Sequence, residues 1–70
     1  MKYAIDYSPF WETVKKKNMT QYELLSHGID SRLLDRLRNN KNINMSTLGK
    51  ICKLLECTPN DVVTFIPVEK

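Results

Sequence analysis

Seventy residues make one small domain of 8.2 kDa, with no room for a second. A chain this short buries only about 60% of the surface its unfolded form exposes, which leaves its stability marginal and argues against an enzyme with its own enclosed pocket. At 41% hydrophobic and 27% charged the composition excludes a disordered segment, and no run approaches the ~20 apolar residues of a membrane span.

The net charge of +3 is unevenly spread. Residues 15–53 hold nine Lys and Arg against Glu23, Asp30 and Asp35, a balance of +6, while the two flanks together carry −3. A basic middle between acidic ends suggests a polyanion contact, although excess lysine more often marks a solvated face, the reading preferred for Lys15, Lys16 and Lys17. Cys52 and Cys57, five apart with a lone His27, make neither a disulfide framework nor a zinc site. Cys52 reads as a small core residue. The expectation is a cytoplasmic protein without secretory leader, cofactor or metal.

In chain order, Tyr3, Ile5 and Tyr7 alternate with Ala4 and Asp6, a period of two that suits a short strand. Ser8, followed by Pro9, starts a helix over 9–17 with Phe10 and Val14 on its inner face. Thr20 with Glu23 forms a capping box for 21–27, where Met19 can staple to Leu24, and Leu24 and His27 lie one turn apart. Asp30 starts 31–39, with Ile29 placed to meet Leu34 and with Leu34 and Leu37 inward. Asn44 starts 45–56, lined by Leu48, Ile51, Cys52 and Leu55. Thr58, then Pro59, starts a fifth helix over 59–64. Phe65, Ile66 and Val68 favour a strand interrupted by Pro67, which pairs with the first segment within a chain or across a dimer. The fold class expected is all-α, with five short helices and short β segments at both ends.

The stretch from Thr20 to Asn40 is the specific one. A capped helix ends at Gly28, Ile29 plugs the turn, and Asp30 opens a second helix, the spacing of a helix-turn-helix whose second helix can lie in a DNA major groove. The face that the core does not use carries Ser31, Arg32, Asp35 and Arg36. Arginine can hold guanine O6 and N7 with both arms, and serine is a short adaptable reader, so Ser31, Arg32 and Arg36 are the candidate base readers. Asp35 either accepts from a cytosine amino group or pairs with Arg32 or Arg38, the latter preferred. Leu33 either touches a thymine methyl or is partly buried. Gln21, Tyr22, Arg38, Asn39, Asn40 and Lys41 are candidate phosphate contacts, with Asn42, Ser46 and Thr47 near them.

On these residues the chain resembles the Cro/CI-type (XRE-like) helix-turn-helix regulators. The resemblance runs from Tyr7 to Pro67 through YSPFW, MTQYEL, GIDSRLLDRLRNNKNI, TLGKICKLLEC and PNDVV. It implies a lambda-repressor-like, five-helix DNA-binding domain over 1–70 with its motif at about 20–39. Such a domain acts as a transcriptional regulator of repressor type and is usually a homodimer on a two-fold site in double-stranded DNA. By position, Ser31, Arg32 and Arg36 match the family's base-reading sites, and Gln21, Asn39 and Asn40 its backbone contacts. Two departures stand out: Gln21 and Gly28 are seven apart where many members have eight, and Gly49 sits mid-helix. A protein-interaction module on the same fold, antitoxin-like or anti-repressor, is the alternative. An enzyme, a membrane-surface binder and a small-molecule receptor are not expected.

Overall fold

Side-chain caps decide where three of the helices begin. In the computed structural model, which describes residues 2–68, the Thr20 hydroxyl accepts from the Glu23 N–H at 3.1 Å while the Glu23 carboxylate accepts from the Thr20 N–H at 2.9 Å. Asp30 accepts from the Leu33 N–H at 2.9 Å, and Asn44 from the Thr47 N–H at 2.8 Å. Each satisfies a donor that the first helical turn leaves without a partner. The helices are α1 (Ser8–Lys16), α2 (Gln21–Ser26), α3 (Ser31–Arg38) and α4 (Met45–Leu55), flanked by strands β1 (Lys2–Asp6) and β2 (Thr64–Val68).

Three expectations need correcting. Ser8 does not cap α1: it is the first helical residue, and the Asp6 carboxylate accepts from its N–H at 3.2 Å and its hydroxyl at 2.8 Å. The fifth helix over 59–64 shrinks to one 3-10 turn, Pro59–Asp61. The Asp61 carboxylate folds back to the Thr58 N–H and hydroxyl, both at 3.3 Å, and from Thr64 the β-favouring residues extend against β1. His27 lies exposed at the end of α2 and takes no part in the core. Among the described residues the result is a mostly helical domain of four α-helices and one two-stranded sheet.

The terminal segments pair within the chain. β1 and β2 run antiparallel with Lys2 opposite Val68, Ala4 opposite Ile66 and Asp6 opposite Thr64. The core of Tyr7, Phe10, Val14, Leu24, Ile29, Leu34, Leu37, Ile51, Leu55 and Val62 lies among the helices and the turns that join them, with Ile5 of β1 packed against its edge while β2 is exposed along its length. Leu24, Ile29, Leu34 and Val62 are buried in it, with Met19, Ile43, Leu48 and Cys57 packed against it, so both expected staples, Met19 with Leu24 and Ile29 with Leu34, have their ends in or against the core. Thr13 is the buried polar side chain among the described residues, and its hydroxyl donates to the Asp61 carbonyl at 2.7 Å, tying α1 to the 3-10 turn. Cys52 and Cys57 are free and half-buried; burial first, then the neighbouring Cys52 thiol and Asp61, raises the Cys57 thiol above its ordinary range.

Gly49 lies exposed on α4, where an added methyl would meet nothing within 4 Å. Glycine costs a helix interior about 0.8–1 kcal/mol relative to alanine. Gly49→Ala should therefore raise the unfolding free energy by about that amount, read as a higher urea midpoint at unchanged slope.

Candidate nucleic-acid interface

The turn between α2 and α3 fixes the geometry of the motif. Gly28 takes φ +104°, a conformation open to glycine and strained for other residues, and lets the chain reverse within two residues of the end of α2. The Ile29 N–H then closes back on the Leu24 carbonyl at 3.1 Å while the Ile29 side chain plugs the core. With Gln21 and Gly28 only seven apart, α2 is six residues long.

α3 presents one face inward and one outward. Leu34 and Leu37 are fully buried, and Leu33 is half-buried against the core, the second of its two sequence readings. Ser31, Arg32, Asp35 and Arg36 are all exposed. They form a contiguous strip because their spacings of one, three and four fall on one side of a helix with 3.6 residues per turn. Arg36 is steadied from one side, its Nε donating to the Asn42 carbonyl at 3.0 Å. That contact uses one of five N–H donors, and the fork of terminal nitrogens carries the rest. Arg32 projects from the first turn.

Asp35 is neutralised locally. Its carboxylate takes a 2.7 Å ion pair from Arg38, whose guanidinium also lies 5.8 Å from the centre of the Trp11 ring. Arg38 therefore leans toward α1, away from the strip, and half of its side chain is exposed. Such an exposed pair contributes little to stability, but it removes a negative charge from the centre of the outward face.

The candidate phosphate contacts divide by what already holds them. Gln21 and Tyr22 open α2 and are exposed, Tyr22 at 78%. Asn39 caps α3, its side-chain amide donating to the Asp35 carbonyl at 2.9 Å. Asn40 takes φ +55°, and its side-chain oxygen accepts from the Tyr7 N–H at 3.0 Å. The Lys41 carbonyl accepts from the buried Tyr7 hydroxyl at 2.6 Å, and its side chain is exposed. Tyr7 thus clasps the loop after α3 to the start of α1, a link that sequence reasoning missed. No local pattern announces it, since its partners are 33 and 34 residues away.

Burial raises the Tyr7 phenol above its ordinary value, with nearby Arg36 pulling the other way. The folded state favours the neutral phenol, so this contribution is complete below the unfolded value of about 10 and lost as pH rises through the higher folded value. Tyr7→Phe should cost about 1 kcal/mol at neutral pH, for the lost hydrogen bond, and should flatten the alkaline end of the stability profile.

A second strip borders the first. A groove between the turn, α3 and α4 is lined by Arg32, Leu33, Arg36, Thr47, Lys50 and Lys53, among others. Sequence reasoning counted Lys50 and Lys53 only as charge. Their three-residue spacing on one helix face was the signal that could have placed them together. The arrangement is a convex helix with two arginines on its exposed side, and a cationic border behind it.

Comparison with known proteins bears on the family and on the fold. The Cro/C1-type HTH DNA-binding domain matches residues 10–68. The fold is similar to a crystal structure of the transcriptional regulator VanUg, with a TM-score of 0.84 at 23% sequence identity over 97% of this chain and 92% of that one. No curated protein matches the sequence significantly. With the match spanning both helices of the motif and most of the chain, the protein belongs to the Cro/C1-type helix-turn-helix DNA-binding domain family.

Proposed function

We propose that the protein is a sequence-specific transcriptional regulator of repressor type that binds double-stranded DNA as a homodimer, with α3 in the major groove. The observation that carries the reading is the strip of Ser31, Arg32 and Arg36, exposed on the helix whose other face is locked into the core. Ser31, Arg32 and Arg36 read base edges. Gln21, Tyr22, Arg38, Asn39, Asn40 and Lys41 hold phosphates, Asn40 through whatever its contact with Tyr7 leaves free. The protein acts in the cytoplasm by binding and not by catalysis, and needs no cofactor or small-molecule ligand. Among the described residues no helix is long and apolar enough to cross a membrane.

Selection of bound sites from random duplex DNA, at stated salt, tests this. A palindromic site with half-sites about 34–36 Å apart, or a multiple, is the expected result. Binding should also weaken steeply with salt, as counterions return to the phosphates. Tyr3, Phe65 and Ile66, exposed at 63%, 61% and 47%, favour the second reading, a protein-interaction module on the same fold. Sequence-blind weak DNA binding beside tight capture of a protein partner would establish that reading and sink the first.

A further inference from the structure

The two-stranded ribbon leaves its edges asymmetric. Pro67 stands opposite Tyr3, and a proline, with no N–H to donate, fits a paired strand only where its nitrogen faces away from the partner. Main-chain direction alternates along an antiparallel strand, so Tyr3, Ile5, Phe65 and Pro67 turn their main-chain groups outward. Tyr7 obeys the same parity: its N–H leaves that edge of the chain and is taken by Asn40. The outer edge of β2 is therefore blunted by proline, a common protection of exposed edges, while the outer edge of β1 keeps both donor and acceptor at Tyr3 and at Ile5.

We propose that this edge of β1 pairs with the β1 of a second copy, antiparallel about a two-fold axis at Ala4, to make a continuous four-stranded sheet. Three observations select this occupant and register. First, it is the register that pairs all five residues of β1, with Tyr3 opposite Ile5 of the second copy and the reverse, four main-chain hydrogen bonds in all. Second, it sets Lys2 opposite Asp6 twice, opposite charges facing each other on one face of the sheet. The Asp6 oxygen bonded to Ser8 is Oδ1, which leaves Oδ2 for the lysine. Third, it joins the exposed Tyr3 and Phe65 of each ribbon into one apolar strip, and a two-stranded ribbon is marginal until further strands are added. The helical bodies then lie at opposite ends of the shared sheet.

This inference deepens the dimeric reading above, and its test is run without DNA so that the two fail separately. In sedimentation equilibrium the chain should form a reversible dimer. Tyr3→Pro removes an outward N–H and leaves the pairing with β2 intact; with helical circular dichroism unchanged, it should weaken the dimer about thirtyfold, the loss of two amide hydrogen bonds by symmetry. In a background of Cys52→Ala and Cys57→Ala, Ala4→Cys should cross-link rapidly on mild oxidation, because the two Cα atoms face each other about 4.5 Å apart. Lys2→Cys should not, since its two copies lie four residues apart along the strands, about 13 Å. A monomer at every concentration overturns the proposal. So does a folded Tyr3→Pro chain that dimerises as the parent does, or Lys2→Cys cross-linking as fast as Ala4→Cys. A dimer that behaves as expected but binds no duplex would leave this edge standing and remove the DNA-binding reading instead.

Discussion

Arg36→Ala should abolish the preference at one base position in each half-site while leaving the rest of the selected sequence readable. The expected loss is about 1–3 kcal/mol of discrimination per half-site, or about 5- to 150-fold. The effect belongs to the base edge because Arg36 is exposed and its protein contact, Nε to the Asn42 carbonyl, lies at the surface. Arg36→Lys should do nearly as badly, since an ammonium cannot present two parallel donors to one guanine. Lys50→Ala serves as the contrast. A cation bordering the groove, if it meets phosphate, should weaken all sequences alike and reduce the log–log salt slope by about one. Competition titrations against a panel of single-base variants separate the two patterns. An Arg36→Ala protein with an intact preference profile would remove Arg36 from the readers.

Asn40→Ala should lower the unfolding free energy by about 2–3 kcal/mol, a large fraction of what a 70-residue domain has. Two losses combine. Alanine at φ +55° is strained where asparagine is tolerated, and the Tyr7 N–H, beside a side chain only 2% exposed, is left without its acceptor. Asn40→Gly isolates the second loss, because glycine takes the backbone without strain, and should recover about half of the deficit. Urea denaturation of the two variants gives both values. Equal destabilisation by Ala and Gly would mean that the left-handed backbone carries none of the effect.

The helical framework was legible because its signals are local. Thr20 with Glu23, Asp30 and Asn44 each act within three residues, and those three caps form as expected. The inward pairs Leu34–Leu37 and Ile51–Leu55 follow from helical spacing alone. What the sequence concealed depends on contacts far along the chain. The last predicted helix failed because Phe65, Ile66 and Val68 have β1 to pair with, and tertiary pairing outweighs a proline-led helix start. Ser8 lost its capping role to Asp6, a competing acceptor two residues upstream. At the site, the exposed strip on α3 was readable by subtraction of the core. That Asp35 pairs with an arginine three residues away was readable from spacing, but the choice of Arg38 over Arg32 was not. The lean of Arg38 toward Trp11 and the clasp of Asn40 on Tyr7 were not, since neither partner is near in sequence.

The ladder between Lys2 and Val68 has a bearing on how the chain reaches its native state. Helices α1 to α4 are assembled from residues close in sequence and can form while synthesis continues, whereas β1 must wait for a partner some sixty residues downstream. The entropy of closing so large a loop is met only once the helical body has brought the two ends together. The strands are then the last part to form and the first to open. In hydrogen exchange their amides should report a sub-global opening, with less protection than the amides of α3 and α4.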